Sequence, residues 1–286
     1  MGSHPRGESN SSLTRVRPIF QTLINRDQTG LSWLSKILGL SAENLNLAVR
    51  LSEDSSGLSR ETTEKKKYRD RVLGKYKLPV IELEACFEKP FPPPRRFLRW
   101  LIEYPERMIW CESSCRKETL EKRGRLFGKF GPALAQEARR DALQQLSLLG
   151  PPGSLRKWWA FEGFTEVDCC LETERMVLFL EGKRKEMLSP STKWFKGRNQ
   201  LIRNLEVAQE AAGNREFGVM VIAETDIGPI PDEIVKEGLP HFTMKERKVL
   251  MGHYLGCILW SDLCRAVGID YEKLPNSLEE ILRTLR

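Results

Sequence analysis

Along the first 150 positions apolar residues recur at helical spacing, and past a turn-rich break they crowd into short strand-like runs. From Leu13 to about Arg50 the spacing predicts helix, with Leu31, Leu34, Ile37 and Leu38 on one side and Ser41 capping a following helix that carries Leu47 and Val49. Residues 52–71 are polar and read as loop or a loose helix start. Pro92-Pro93-Pro94 cannot sit in a helix interior, so a helix begins near Arg95, carries Phe97, Leu98, Leu101 and Ile102, and stops at Pro105. Lys117 to Leu149 predicts two helices parted near Gly128 to Pro132, with Leu134, Ala138, Leu143, Leu146 and Leu149 close to a common apolar face.

The pattern changes after Gly150-Pro151-Pro152-Gly153. Strands are predicted over 158–164, 165–171, 176–183 and 217–224, each rich in β-branched and aromatic residues. Between the last two, a helix over about 195–212 places Leu201, Leu205, Ala208 and Ala212 in one stripe. Three strands, a helix and a strand imply an α/β layer, a helix covering a mixed sheet. Further helices are expected over 245–259 and 262–266, closing at Gly268, and from Ser277, where Glu280 stands at capping-box spacing. The division that follows is a mainly helical region over 11–129 and an α/β domain with C-terminal helices over 130–286. Residues 1–10, opening Met1-Gly2-Ser3-His4, look like the remnant of an expression tag and are expected to be disordered.

Composition narrows the class. With 286 residues, 40% hydrophobic and 30% charged, the chain is neither a disordered nor a fibrous sequence. No apolar run approaches the roughly 20 residues that span a bilayer, so a soluble protein without a membrane partner is expected. Seven cysteines, two of them adjacent at Cys169 and Cys170, fit a reducing, cytoplasmic compartment. Cys111 and Cys115 form one loose pair with no histidine near, short of a zinc site. Residues 1–150 hold 27 Lys or Arg against 18 Asp or Glu, a charge of +9, while the remainder of the chain's 46 and 39 leaves −2. Basic clusters at Lys65-Lys66-Lys67 with Arg69 and Arg71, at Arg95, Arg96 and Arg99, and at Arg116 to Arg125 can meet phosphates or simply face water.

The candidate chemistry sits in Thr165-Glu166-Val167-Asp168 and Leu178-Phe179-Leu180-Glu181-Gly182-Lys183. Alternate strand residues share a face, so Glu181 and Lys183 project together, away from Leu178 and Leu180. A hairpin turning between Glu174 and Arg175 sets Asp168 opposite Glu181. Two carboxylates opposed across a ladder lie close enough to share a cation and repel without one. Hard oxygen ligands suit Mg²⁺ or Mn²⁺, and a neighbouring ammonium can hold an attacking water or a charged phosphate. A surface salt bridge between Glu181 and Lys183 is the plainer alternative. His241 and His253 have no serine or cysteine partner, and no phosphate-cradling Gly-x-x-x-x-Gly-Lys loop is present.

Asp168, followed by Glu181-Gly182-Lys183 on an apolar strand, resembles the PD-(D/E)XK nucleases of the restriction-endonuclease-like superfamily, with Val167 in place of the motif's proline. The resemblance covers about residues 130–225. It implies a restriction-endonuclease-like core with metal ligands at Asp168, Glu181 and the Gly182 carbonyl, and Lys183 as the catalytic lysine. Many members carry a further acid on the helix before the first core strand, here Glu137 or, one turn on, Asp141. Exonuclease-related members often carry a glutamine on the helix after the lysine, here Gln200, with Arg203 and Asn204 also off the apolar stripe. Lys193, Trp194, Lys196 and Arg198 form a segment able to run along a nucleic-acid backbone. The expectation is a Mg²⁺-dependent deoxyribonuclease, with a homodimer or an accessory protein as open partners. The alternatives are a nuclease-fold DNA-binding module without turnover and a protein-interaction subunit docking through residues 260–268.

Overall fold

The computed structural model describes residues 10–41, 83–111, 116–148 and 157–284. The helix expected around Leu47 and Val49, the Lys65 to Arg71 cluster, Cys115 and the Gly150 to Gly153 break lie outside them. A π-helical turn, Ser12–Val16, leads into α1 (Arg17–Arg26), and residues 34–41 are helical. There follow α2 (Arg95–Glu103), α3 (Lys117–Leu126), α4 (Pro132–Ser147), α5 (Gln200–Ala212), α6 (Asp232–Gly238), α7 (Met244–Met251), α8 (Trp260–Val267) and α9 (Leu278–Thr284). They flank a five-stranded mixed sheet in the order β1 (Glu84–Phe91), β2 (Thr165–Glu172), β3 (Met176–Lys183), β4 (Glu216–Ala223) and β5 (Tyr254–Leu259). The first three strands are antiparallel neighbours and the last three are parallel, with α5 as the crossover that parallel β3 and β4 require.

Each face of the sheet buries its own core. On one, Leu178, Leu180, Met220 and Ile222 meet Val16, Ile19 and Phe20 at the start of the chain and Trp260 and Leu263 of α8. On the other, Val177, Phe179, Val219 and Val221 meet the predicted stripe of α5 and Leu250 of α7. Every residue of β3 is buried, so this strand reads as a near-continuous apolar run instead of an alternation. A third core joins α2, α3 and α4 to Trp158, Trp159, Phe161 and Trp194.

The α/β layer with helices over a mixed sheet is as expected, but its first strand is not. Residues 158–164 form turns, not a strand: Trp158 gives its carbonyl to Arg123 Nε at 2.7 Å, and Trp159 Nε1 donates to Gln145 Oε1 at 2.9 Å. Their aromatic content serves the helical core. The strand before β2 is β1, whose Pro90 is tolerated because β1 is an edge. The expected division between 129 and 130 is therefore not how the chain is built, since β1 and α1 complete the sheet and its core. Asn10 belongs to the fold too, its side chain accepting from Leu13 N at 3.1 Å. The helix expected over 245–259 ends at Gly252, and its apolar second half is β5, a short run that periodicity cannot tell from buried helix. Helix α5 starts at Gln200 because the Asn199 side chain caps it through Leu201 N, leaving 195–199 as loop.

One buried ion cluster ties these parts together. Arg198, fully buried, pairs with Glu162 and Glu206, each at 2.8 Å, donates to the Gly238 carbonyl at 3.2 Å and lies 3.8 Å from the Phe97 ring centre. Glu206 also meets His241 Nε2 at 2.7 Å. The approach to β2, helices α2, α5 and α6, and the loop before α7 thus share one guanidinium. Replacing it with an apolar side chain, Arg198→Met, leaves two carboxylates buried without their cation and is expected to cost about 3–5 kcal/mol. Urea unfolding measures this, and a loss below about 1 kcal/mol would mean the cluster contributes nothing the packing does not.

Candidate active site

The site lies where the sheet parts. Strand β2 pairs with β3 only from Glu172 to Cys169, opposite Val177 to Leu180, while β2 continues along β1 to Thr165 and β3 continues along β4 to Lys183. This is the register predicted from the turn at Glu174, and carried one step further it sets Asp168 opposite Glu181. The two strands diverge there, so a fork opens with Asp168 on one prong and Glu181, Gly182 and Lys183 on the other.

A twist in β1 and β2 marks the same level. The β1–β2 pairing passes from Phe87↔Cys169 to Lys89↔Val167 and skips Glu88 and Asp168. Phe87 and Cys169 pack in one core, yet Phe91 and Val167 pack in the other, so both strands change face across the skipped pair. Glu88 accommodates this with φ at 51°, the one positive φ at a non-glycine position among the described residues. Its carboxylate is held by Ser12 Oγ and Arg17, both at 3.4 Å.

Glu181 is buried and taken up by three donors: Gln200 Nε2 at 2.6 Å, Lys183 Nζ at 2.9 Å and Asn204 Nδ2 at 3.0 Å. Gln200 and Asn204 are one turn apart on α5 and so reach the same carboxylate. Asp168 Oδ2 accepts from Gly182 N at 2.8 Å. Burial, then the Glu181 carboxylate, hold the Asp168 carboxyl far above the usual range, at about 8, against the lowering pull of the Gly182 N–H and Lys183. Ser11 Oγ donates to the Gly182 carbonyl at 2.9 Å, and Trp260 Nε1 to the Lys183 carbonyl at 2.9 Å. A side chain at position 182 would come within 2.5 Å of Val16 Cγ2 and 3.0 Å of Trp260 Cζ2, so only glycine lets the first helical turn and α8 close on β3.

Asp168, Glu181, Lys183, Gln200 and Ser11 line a cleft of about 610 Å³ together with Asn10, Glu88, Glu166, Lys185 and Glu186. Oxygen donors alone, with a protonation-prone acid among them, suit a hard divalent cation. Among the described residues no group of three or more His, Cys, Asp and Glu is drawn together as a metal cage. Asp168 and Glu181 would hold such an ion, and the Gly182 carbonyl, which already accepts from Ser11, would have its second lone pair left for it.

The remaining sequence candidates divide. Asn204, expected to face the site from the polar side of its helix and hold phosphate or water, does face it and donates to Glu181. Arg198 is consumed by the buried cluster and Trp194 by the helical core, so neither is a surface contact. Lys193 and Lys196 are exposed. Arg203 is largely buried, with its guanidinium lowered by burial and its Nε lacking a partner. Glu137 is on the exposed side of α4 and Asp141 binds Gln145; neither lines the cleft, because α4 lies in the inserted helical core and the helix preceding the first strand is in the N-terminal part of the chain. The acids that sequence reasoning missed are Glu88, Glu166 and Glu186, and the missed polar wall is Asn10 to Ser12. Only the strand change at Glu88 could have pointed to them, and nothing in the local pattern announces it.

No family model, curated protein or solved structure matches the chain.

Two expectations follow from the geometry. Gly182→Ala forces Val16 and Trp260 apart and should cost about 1–3 kcal/mol; an unchanged unfolding midpoint would show that this seam yields freely. An unfolded aspartate titrates at about 3.9, and Asp168 in the fold at about 8. Between these values the native state binds the extra proton, so the stability Asp168 contributes is complete below about pH 4 and lost as pH rises toward 8. Asp168→Asn keeps an acceptor for Gly182 N and should gain Tm over the parent by a few degrees from pH 5 to pH 9. A difference independent of pH would refute the raised carboxyl.

Proposed function

We propose that the chain is a nuclease of the PD-(D/E)XK type that hydrolyses phosphodiester bonds of DNA with Mg²⁺ or Mn²⁺. The observation that carries this reading is the meeting of Asp168, Glu181 and Lys183 at the open end of a strand fork, with Gln200 one residue inside α5 on the same carboxylate. The order β1, β2, β3, α5 and β4 around that fork, with α2 to α4 inserted between β1 and β2, supports it. A divalent ion at Asp168 and Glu181 would supply Lewis-acid activation of water and neutralise charge at phosphorus.

The chain's own residues do the rest. Lys183, with a small part of its side chain open to the cleft, orients water or donates to a phosphoryl oxygen. Gln200 and Asn204 fix the Glu181 carboxylate so that it does not rotate when its charge is shared. The buried Asp168 would have to give up its proton to hold a cation, which would make cation binding steepen with pH.

A second reading, a nuclease-fold DNA-binding module without turnover, draws on a specific feature: Glu181 is already satisfied by three donors and the Gly182 carbonyl by Ser11. Supercoiled plasmid and labelled single strands, incubated with Mg²⁺, Mn²⁺ or EDTA, separate the two. Metal-dependent cleavage is expected, falling by about 10²- to 10⁴-fold in Lys183→Ala and Glu181→Gln while their circular dichroism stays that of the parent. Full activity in Glu181→Gln would overturn the site, and DNA binding indifferent to metal with no cleavage would select the second reading.

A further inference from the structure

We propose that the groove between α2 and α4 holds the phosphate backbone of a nucleic acid. Helix α4 turns Ala138, Ala142 and Leu146 into the helical core, and from its other side Gln136, Arg139, Arg140, Leu143, Gln144 and Ser147 face Arg99 of α2. Together they line a groove of about 520 Å³. Three guanidiniums, two amides and a hydroxyl point to an anion, and among the described residues no carboxylate lines it.

The arginines of this groove are weakly paired. Several other arginines of the helical part find partners: Arg96 binds Glu246, Arg95 binds Glu210, Arg125 binds Glu121, and Arg123 is buried against Trp158 and Trp194. Arg139 and Arg140 have no acidic partner among the described residues, and Arg139 Nε is buried with no acceptor at all. Arg99 has only Glu103, at 3.6 Å. Like charges gathered on facing helices repel, and a buried N–H without an acceptor costs about 1–3 kcal/mol. A polyanion in the groove removes the repulsion.

The donor types favour phosphate over other anions. Guanidinium forks bind phosphate oxygens two at a time, and amide and hydroxyl groups add single bonds that fix register without reading bases. Leu143 is the only apolar lining residue, too little for a lipid surface or an amphipathic helix. The groove is also fixed to the candidate site: Gln145 of α4 accepts from Trp159, and the chain runs from there into β2 and Asp168. The proposal takes its ligand class from the nuclease reading but none of its chemistry.

Anisotropy of a labelled duplex titrated in EDTA over a range of NaCl concentrations tests it without cleavage. Arg140→Gln, on the exposed side of α4, should make the slope of log K against log salt shallower by about 1, and Arg139→Gln with Arg140→Gln by about 2. Lys248→Gln, an exposed cation on α7, should leave the slope as in the parent. Equal slopes in all four proteins, an equal change in Lys248→Gln, no binding by the parent, or a loss confined to an acidic peptide or anionic vesicles would each overturn the groove. Failure of the nuclease reading looks different: no metal-dependent cleavage, with the arginine effect on binding intact.

Discussion

A carboxylate that is nearly sealed from water has to be met by donors from the protein, and Glu181 is such a group. Its donors come from two directions, Lys183 two residues along the same strand and Gln200 with Asn204 from α5. A helix that must present two side chains one turn apart to one carboxylate has its rotation about its own axis fixed. That rotation also turns Leu201, Leu205, Ala208 and Ala212 onto the sheet. Packing and site therefore demand the same orientation of α5, and the Arg198 cluster, just before its first turn, holds its start in place.

The sheet provides the opening for this carboxylate by failing to pair. Regular ladders would have carried β2 along β3 through Lys183 and closed the fork. Glu88 and Asp168 drop out of the β1–β2 pairing and both strands change face, so β2 leaves β3 after Cys169. A strained φ of 51° persists at Glu88 because Ser12 and Arg17 hold its carboxylate and two cores lie on either side. The gap so made is closed from the N-terminal side by Asn10 to Ser12, and Gly182 is the point where that closure touches β3. Access to the carboxylates thus depends on residues far away in sequence.

Legibility followed locality. Strands β2 and β3, their turn and register, and the pairing of Glu181 with Lys183 were readable because a hairpin is a local object with a period of two. The stripe of α5 and the helix ends at Ser277 and Gly268 are equally local. Strand β1 was not legible: Glu84, Glu88 and Pro90 break the apolar pattern, and what holds them in a strand is an edge position that only the assembled sheet defines. The same cause misdirected the extra acid to Glu137. With Trp158 to Phe164 taken as the first strand, α4 became the helix before it, whereas those aromatics fill a helical core inserted between β1 and β2. Helix periodicity shows that Gln200 and Asn204 share the polar side of their helix, but not that this side meets Glu181.

Charge gives a related lesson about position. The N-terminal half carries the whole basic excess, yet several arginines of its described clusters are taken up by partners within the protein. Arg95 and Arg96 clamp α2 to Glu210 and Glu246, and Arg123 is buried beneath Trp194. Adjacent arginines stand out in a sequence, but a helix sends neighbours about 100° apart, so adjacency says little about convergence. Convergence needs spacings of three and four, and on α4 positions 136, 140, 143 and 147 have them, with Arg139 alongside. None of these residues forms a dense basic run, and Arg99, which completes the groove, comes from another helix. A field strong enough to hold a polyanion arises here from where unpaired cations meet, and net charge by itself fixes only that some remain unpaired.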